Sequence, residues 1–276
     1  MKKLSFLLPL IIVFSTGCNQ QREFISIQPE PQKQLDYQNY ILVLEKYVEN
    51  GLVKYCSLKS NPDLLNIFIR SLSNVGPNCT PQYFKTKNHH LAFWINVYNA
   101  AGMQAALRLY PAAAIKPDFQ NNVYIYVNKK RLNLIQIAQL AKQAGDYDPR
   151  INLALVIPAK GAPLLPNQIY EPEKIDDQLN NTVKNSLDNQ NLLHIDHKKQ
   201  SLLLGYPLFS AKEKFIQNYN KKFNTKYASI INALNQYANS NQRRKLNSAI
   251  GYKIDKINFD RSLNIKDEPA CALDNP

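Results

Sequence analysis

The most extensive hydrophobic pattern in the chain lies between Lys87 and Tyr110. Its apolar residues recur at helical spacing, but they extend around nearly the whole circumference, which predicts a helix that is buried on every side. Asn96 and Asn99 interrupt this surface on one arc, because residues three apart are neighbours on a helix. A buried amide needs hydrogen-bond partners, so these two side chains either bond to neighbouring backbone or line a pocket. The structural role is the commoner one.

The rest of the chain predicts short helices and two hairpins. A continuous apolar run at 151–157 predicts a buried strand. Because no β-α-β alternation recurs, we predict a single, mainly helical α+β domain with a small antiparallel sheet over residues 36–250, followed by a polar tail at 251–276 that is poorly ordered or associated with a sheet edge. The predicted helices cover residues 36–50, 63–73, 136–144, 173–187, 209–220 and 226–238, and the predicted hairpins cover residues 123–134 and 192–204.

The N-terminal segment predicts export. Lys2 and Lys3 precede an apolar run at 4–14 that is too short for a standard membrane-spanning helix, as in a signal peptide. Small residues then lead directly to Cys18, which resembles a bacterial lipobox with Cys18 as the lipidated mature N-terminus. The alternative is an ordinary secretory signal with a chance cysteine. We therefore predict a signal peptide over residues 1–17 and a polar, flexible tether over residues 18–35.

The lipobox resemblance also implies a cellular location. Asn19 follows the cysteine, and the sorting pattern of lipoproteins then implies an outer-membrane protein that faces the periplasm. The expected partner at this end of the chain is therefore the membrane, which is reached through an N-terminal lipid anchor.

The charge balance widens the range of partners. The chain has 34 Lys and Arg residues against 21 Asp and Glu residues, a net charge of +13, which favours anionic partners. Basic residues are spread along the chain, as is typical of a solvated surface. No zinc-finger spacing or RNA-binding signature is present, so no nucleic-acid partner is expected. An anionic envelope ligand or a protein partner is the remaining expectation.

The cysteines predict one disulfide. In an oxidising compartment Cys56 and Cys79 are the favoured pair, because Cys271 lies in a polar tail. One thiol is then left over. The sequence has no C-x-x-C and no His/Cys metal-binding spacing, so we expect neither a structural zinc nor another cofactor.

The residues from Leu91 to Ala100, LAFWINVYNA, resemble the AFWxNxYNA signature of the family known as domain of unknown function 547. The segments 51–55, 148–151 and 163–170 resemble further parts of that family in the same order. The resemblance spans about residues 37 to 237 and implies a fold more than an activity, because the biochemistry of the family is mostly unassigned. The candidate binding residues are Trp94, Asn96, Tyr98, Asn99, Arg150, Ala162 and Pro163.

Two departures from the family pattern imply a lost catalytic site. Ala162 stands where the family has a Cys before the Pro of a loop, and the Glu-His pair of the helix after the hairpin falls on Gln136 and Ile137. A Cys, a His and a carboxylate together can form a nucleophile, its base and its orienting group. We therefore predict no catalytic residue, and we expect Gln136, Ile137 and Ala162 to surround one cavity.

These departures favour a cell-envelope lipoprotein that is a non-catalytic binding or scaffolding module on a degenerate enzyme-like fold. The alternative is an envelope hydrolase that acts on amide or ester bonds, with Cys56 as its nucleophile. Arg150 has two interpretations as well, because its planar guanidinium suits both an anionic ligand and a structural ion pair. We favour the ion pair.

Overall fold

The computed structural model describes residues 36–268, and over these residues the chain is a mainly helical α+β protein, as the sequence predicts. The predictions that fall on residues 1–35, which are the signal peptide, the lipidated Cys18 and the whole tether, lie outside the described residues, and so does Cys271. The helices are α1 (Gln38–Tyr47), α2 (Tyr55–Ser60), α3 (Asp63–Ser71), α4 (Lys87–Leu109), α5 (Phe119–Asn122), α6 (Leu134–Ala144), α7 (Ile151–Ala154), α8 (Ile175–Ser186), α9 (Tyr206–Phe223), α10 (Ile230–Asn235) and α11 (Ser240–Asn247).

The strands are short and form small sheets. β1 and β2 pair as a two-residue ladder, β3 and β4 form a hairpin, and β5, β6 and β7 form a three-stranded sheet. The turn between β3 and β4 contains Asn128 and Lys129, which both have positive φ, as a tight hairpin turn requires. The strands are β1 (Val48–Glu49), β2 (Leu52–Val53), β3 (Tyr124–Val127), β4 (Lys130–Asn133), β5 (Leu193–Asp196), β6 (Ser201–Leu204) and β7 (Lys253–Lys256).

The α4 helix forms the centre of the larger hydrophobic core. Sixteen of its residues are buried, in agreement with its all-round apolar pattern. Thr86 begins the helix, and its hydroxyl accepts a hydrogen bond from the backbone N–H of His89. Trp94 is 4% exposed and packs edge-to-face on Phe93, with ring centroids 4.8 Å apart. The helix α6 packs against α4.

The apolar run at 151–157 is not a strand, so that prediction is wrong. Its first residues form the short helix α7, which begins after Asp148, whose carboxylate accepts from the backbone N–H of Arg150 at 2.9 Å. The following backbone is extended but pairs with the side chain of Asn99 instead of with a neighbouring strand. Periodicity alone cannot separate a short buried strand from a buried helical turn, which is why the sequence pattern failed here.

The predicted pairing of Cys56 with Cys79 is wrong. Cys56 is disulfide-bonded, whereas Cys79 is a free cysteine. The two residues have different neighbours: the backbone N–H of Cys79 donates to the Asn128 side chain at 3.1 Å, and that of Cys56 donates to the Glu268 carboxylate at 3.0 Å.

The C-terminal segment contributes to the fold beyond the predicted domain end at residue 250. Its strand β7 pairs in parallel with β6, so the three-stranded sheet is mixed and not purely antiparallel. Leu263 is 1% exposed, and the backbone carbonyl of Asn264 accepts from the N–H of Val53 at 2.8 Å. The folded part of the chain therefore extends past residue 250.

None of the helices within residues 36–268 combines the length and the hydrophobicity that crossing a bilayer requires.

Candidate functional site

Asn96 and Asn99 bind the two ends of the proline-rich loop at 156–170, which contains Ala162 and which we call the Ala162 loop. The Asn99 side chain donates to the carbonyl of Ala154 at 3.1 Å and accepts from the N–H of Val156 at 2.9 Å. The Asn96 side chain donates to the carbonyl of Tyr170 at 2.8 Å and accepts from its N–H at 2.9 Å. Both amides are therefore satisfied by backbone, which is the structural alternative, and they fix the loop between them on α4.

The loop is also bound to the C-terminal segment. The N–H of Gly161 donates to the carbonyl of Asp260 at 2.9 Å, and the N–H of Lys160 donates to that of Ser262 at 2.8 Å. A Cβ atom at Gly161 would lie 2.7 Å from the backbone nitrogen of Asp260, so only glycine permits this approach. Ala162 follows directly and is 3% exposed.

Ala162 lines a cavity of about 270 Å³, which we call the Ala162 cavity. Its walls come from α4, α6, α9, the end of α7 and the loop itself. Ala162 and Pro163 line it beside Ala138, and the polar side chains in the lining are those of Tyr98, Gln120, Gln139, Lys142, Asn152, Tyr206 and Ser210.

Lys142 is the single charged residue that lines this cavity, among the residues described. Its ammonium group forms no hydrogen bond or ion pair with any residue of the described range, and burial lowers its pKa from the usual 10.5. Burial penalises a charge unless a counter-charge or hydrogen bonds compensate it. Lys142 therefore leaves a positive charge in the cavity that an anion would neutralise.

The other polar groups are amides and hydroxyls that can donate. Gln120 donates to the Tyr98 hydroxyl, and no described residue accepts the proton of that hydroxyl. Burial raises the pKa of Tyr98, so its hydroxyl stays neutral and can act as a donor. Gln139 donates to the Tyr147 hydroxyl at 3.0 Å. The cavity thus surrounds a cation with neutral donors, which suits an anionic group.

Gln136 and Ile137 do not converge with Ala162, so that prediction is wrong. The Gln136 side chain accepts from the N–H of Asn133 at 2.9 Å and caps the start of α6. It lines a different cavity of about 680 Å³, which we call the Gln136 cavity and which also contains Trp94. Ile137 is fully buried in the core.

The face of α6 that is turned toward Ala162 explains the error. Residues three or four apart share a helix face, and the α6 face that lines the Ala162 cavity consists of Ile135, Ala138, Gln139 and Lys142. The adjacent pair on this face is Ala138 and Gln139, two residues after the predicted pair. Neither can serve as an acid or a base, and no Cys, His, Asp or Glu lines this cavity among the described residues. The three reactive groups are absent from the cavity even with this shift of register.

Arg150 lies outside the Ala162 cavity and has a structural role. Its guanidinium contacts Asp148 at 2.6 Å and Asp176 at 2.8 Å, and it donates to the Asn180 side chain at 2.6 Å. Burial opposes its charge, but the hydrogen bonds and charges of the two carboxylates raise its pKa. The guanidinium joins the turn before α7 to α8, which is the ion-pair interpretation.

The structure brings together only some of the predicted site residues. Tyr98, Ala162 and Pro163 line one cavity, whereas Trp94 lines the Gln136 cavity and the other three are structural. The sequence analysis missed Lys142, although its position offered a signal. It is a lone lysine four residues after Ala138 on the largely apolar helix α6.

Metal-ligating side chains do not gather in the part of the chain that is described. No group of three His, Cys, Asp or Glu residues that could hold an ion occurs within residues 36–268. His89 bonds to the hydroxyl of Thr86 at 2.7 Å, and His90 contacts the carbonyl of Phe84 at 3.0 Å. The two adjacent histidines thus have separate local partners at the start of α4.

Residues 82–186 match the model of a family described as "Protein of unknown function, DUF547". The match includes α4, the β3–β4 hairpin, α6 and the Ala162 loop, and it ends at the last residue of α8. It confirms the resemblance that the α4 signature indicates. The flanking parts of the predicted resemblance, before residue 82 and after residue 186, lie outside the match. No curated protein and no solved structure matches the chain.

Proposed function

We propose that this chain, which matches the DUF547 family over residues 82–186, is a non-catalytic binding module of the cell envelope that holds an anionic group in the Ala162 cavity. The observation that carries the proposal is Lys142, a partly buried ammonium without a counter-charge among the described residues. An anion that enters the cavity gains a charge-assisted hydrogen bond and relieves the cost of an unpaired charge.

The size of the cavity restricts the ligand. At about 270 Å³ it is slightly smaller than typical pockets for whole small molecules, which are roughly 300–1,000 Å³. It suits one anionic group, such as the carboxylate of a larger molecule, with the remainder of that molecule outside. Lys142 supplies one positive charge and the other donors of the lining are neutral, so the cavity can neutralise one negative charge of a ligand.

Among the described residues, the lining of the cavity contains no Cys, His, Asp or Glu, which supports the non-catalytic part of the proposal. Disulfide bonding removes Cys56 as a thiolate nucleophile, and Cys56 does not line the Ala162 cavity. A hydrolase at this cavity would have to use Ser210 with Lys142 as its base. The Ser210 hydroxyl instead donates to the carbonyl of Pro207 at 3.3 Å and forms no hydrogen bond with Lys142.

We also propose the envelope location, which rests on the sequence. Lys2 and Lys3, the apolar run at 4–14 and Cys18 form a lipoprotein signal, and Asn19 favours the outer membrane. The ligand would then be an anionic component of the envelope, such as an anionic glycan, and the lipid anchor would connect the domain to the membrane.

A binding assay with a matched pair of variants tests the site. The full chain is titrated by calorimetry with small carboxylates and sugar acids, including N-acetylmuramic acid as an anionic glycan unit. We expect Lys142→Met to lower the affinity by about tenfold or more, because one charge-assisted hydrogen bond is lost. Lys226→Met removes the same charge from an exposed position and should bind as the parent does. Equal affinities for the parent and Lys142→Met would contradict the proposal.

The hydrolase alternative has its own readout. The same compounds, as amides and esters, are incubated with the parent and with Ser210→Ala. Turnover that disappears in Ser210→Ala would replace the binding proposal with hydrolysis, and binding without turnover supports the non-catalytic module.

A further inference from the structure

A second cavity with a distinct charge pattern lies at the C-terminal end of α4. It has a volume of about 500 Å³ and is bordered by α4, α5 and the β3–β4 hairpin. We call it the Arg131 groove. Three basic side chains from different parts of the chain line it, namely Arg108 from α4, Lys116 from the segment before α5, and Arg131 from β4. Asp118 is the single acidic residue that lines it among the described residues.

The three cations are not neutralised within the described part of the protein. None of them forms an ion pair with a carboxylate there, although Arg150 and several lysines elsewhere do. Arg108 donates only to the neutral side chain of Gln104 at 3.3 Å. The carboxylate of Asp118 instead accepts from the Asn122 amide at 2.6 Å. The lining of the groove therefore carries a net charge of about +2, since three cations face one carboxylate.

The contact between Arg131 and Tyr124 fixes the orientation of one cation. The guanidinium carbon of Arg131 lies 4.1 Å from the centre of the Tyr124 ring. This cation–π contact takes up none of the guanidinium N–H groups as hydrogen-bond donors. No hydrogen bond from Arg131 to a described side chain or backbone group takes up these donors. Such a planar set of donors matches two oxygens of one phosphate.

We propose that the Arg131 groove binds a phosphate group carried by a mono- or diester. Dispersed surface lysines are the ordinary consequence of a basic composition, but here three cations from separate elements line one concavity. Their net charge matches a phosphate monoester, which carries about −1.5 to −2 at neutral pH. The amide of Gln104 borders the same groove and supplies a neutral polar group. This site is separate from the Ala162 cavity and does not rest on the function proposed for it.

The rim of the groove suits a phosphate that belongs to an amphipathic molecule. Leu109 and Tyr124, which line the groove, are 43% and 42% exposed, and Tyr126, which lies outside its lining, is 64% exposed. The two tyrosines lie on one face of β3, because alternate residues of a strand share a face. Exposed apolar and tyrosine side chains beside cations are compatible with a lipid headgroup at a membrane surface, and the same cations would hold a soluble phosphate ester.

The test uses two probes on the full chain with Cys18→Ser, so that a lipid anchor does not contribute. One probe is glycerol 3-phosphate in solution, which is followed by calorimetry. The other is a vesicle of phosphatidylglycerol and phosphatidylcholine, which is followed by co-sedimentation against vesicles of phosphatidylcholine alone. The N-terminal residues are identical in all variants, so the readout is the difference between variants.

We expect Arg131→Gln to weaken binding of the active probe by about tenfold or more, and Lys116→Gln to weaken it in the same direction. Lys198→Gln, which removes an exposed charge in the β5–β6 turn, should bind as the parent does. Binding of the soluble ester assigns the site to free phosphate esters, and binding of anionic vesicles alone assigns it to a lipid headgroup. The Lys116 side chain has no hydrogen-bond or ion-pair partner among the described residues, so its variant keeps the test valid if Arg131→Gln fails to fold. The proposal is overturned if neither probe binds, or if both groove variants bind as tightly as Lys198→Gln.

Discussion

At the scale of single residues, Lys142 is the charged group of the candidate site, and it has no counter-charge among the described residues. Burial lowers its pKa because the charged form loses solvation without gaining a counter-charge. In the unfolded chain the ammonium group of Lys142 is exposed to water again. The charge of Lys142 therefore weakens folding, and no described residue compensates it. This combination distinguishes a binding lysine from a lysine that stabilises the fold.

The first prediction follows from the direction of the Lys142 pKa. Lys142→Met should unfold at a temperature equal to or above that of the parent at neutral pH, because a desolvated charge is removed. As the pH rises from the lowered pKa toward 10.5, the folded state releases the proton while the unfolded state keeps it. The stability of the parent relative to Lys142→Met should therefore rise in that window. Thermal melts of both proteins between neutral pH and pH 10.5 measure the difference.

The protonation state of Lys142 also determines how ligand binding depends on pH. An anion binds the charged ammonium, so its affinity should fall as the pH rises through the lowered pKa of Lys142. Calorimetric titration at increasing pH checks this second prediction. A flat affinity across the window, with Lys226→Met as the charge-matched control, would mean that Lys142 does not contact the ligand.

At the scale of elements, α4 determines how the Ala162 loop is placed. Asn96 and Asn99 each bond to one donor and one acceptor of the backbone, at the two ends of the loop. Removal of either amide leaves a buried N–H and a buried carbonyl without a partner. The helix α4 is therefore both the centre of the core and the support of the candidate site.

The third prediction tests this support. Asn99→Ala should lower the free energy of unfolding by about 2–4 kcal/mol, since each buried group left unpaired costs about 1–3 kcal/mol and relaxation recovers part of it. Asn96→Ala should cost a similar amount. Asn121→Ala removes an exposed amide with no described partner and should change stability by no more than about 0.5 kcal/mol. Urea denaturation measures all three, and an Asn99→Ala protein as stable as Asn121→Ala would contradict the structural role.

The fourth prediction concerns Trp94, which is 4% exposed and packs on Phe93. Trp94→Ala should destabilise the fold by about 3–5 kcal/mol, because the buried apolar surface of the indole ring is lost and a cavity is left beside α4. Tyr126→Ala truncates a side chain that is 64% exposed and serves as the comparison. A thermal midpoint of Trp94→Ala within a degree or two of the parent would show that the core does not depend on this residue.

The sequence predicted elements where the signal is local. The all-round apolar pattern identified α4, and alternating residues around short turns identified both hairpins. It failed at 151–157, where the deciding contact is a side chain 50 or more residues away, that of Asn99. The candidate site shows the same limit. Tyr98, Ala162 and Pro163 were marked by a family signature, whereas Lys142 acquires its character only from tertiary burial.

At the scale of the whole molecule, the C-terminal segment connects parts of the domain that are distant in sequence. Its strand β7 extends the sheet of β5 and β6, its residues near 260 bond to the Ala162 loop, and Lys266 pairs with Glu49 at 2.7 Å. These contacts are backbone hydrogen bonds and one ion pair, and among the apolar residues of the segment Leu263 is buried. A hydrophobic pattern does not reveal them, which is why the sequence predicted a tail there.

The last prediction tests whether this segment stabilises the fold through Asn264. Its side chain accepts from the hydroxyl of Tyr55 at 3.0 Å and donates to the carbonyl of Gly51 at 3.3 Å. Burial raises the pKa of Tyr55, so that hydroxyl stays protonated and needs an acceptor. Asn264→Ala leaves both buried groups unpaired and should lower the free energy of unfolding by about 2–4 kcal/mol.

The matched control is Asn258→Ala, which removes an exposed amide from the same C-terminal segment. Urea denaturation should place Asn258→Ala within about 0.5 kcal/mol of the parent. Because Asn264 joins the segment to the β1–β2 turn and to α2, its loss should also speed amide hydrogen exchange in both places, where exchange reports local opening. If Asn264→Ala and Asn258→Ala have the same free energy of unfolding, and amide exchange at residues 49–55 is unchanged, the segment lies on the domain without stabilising it.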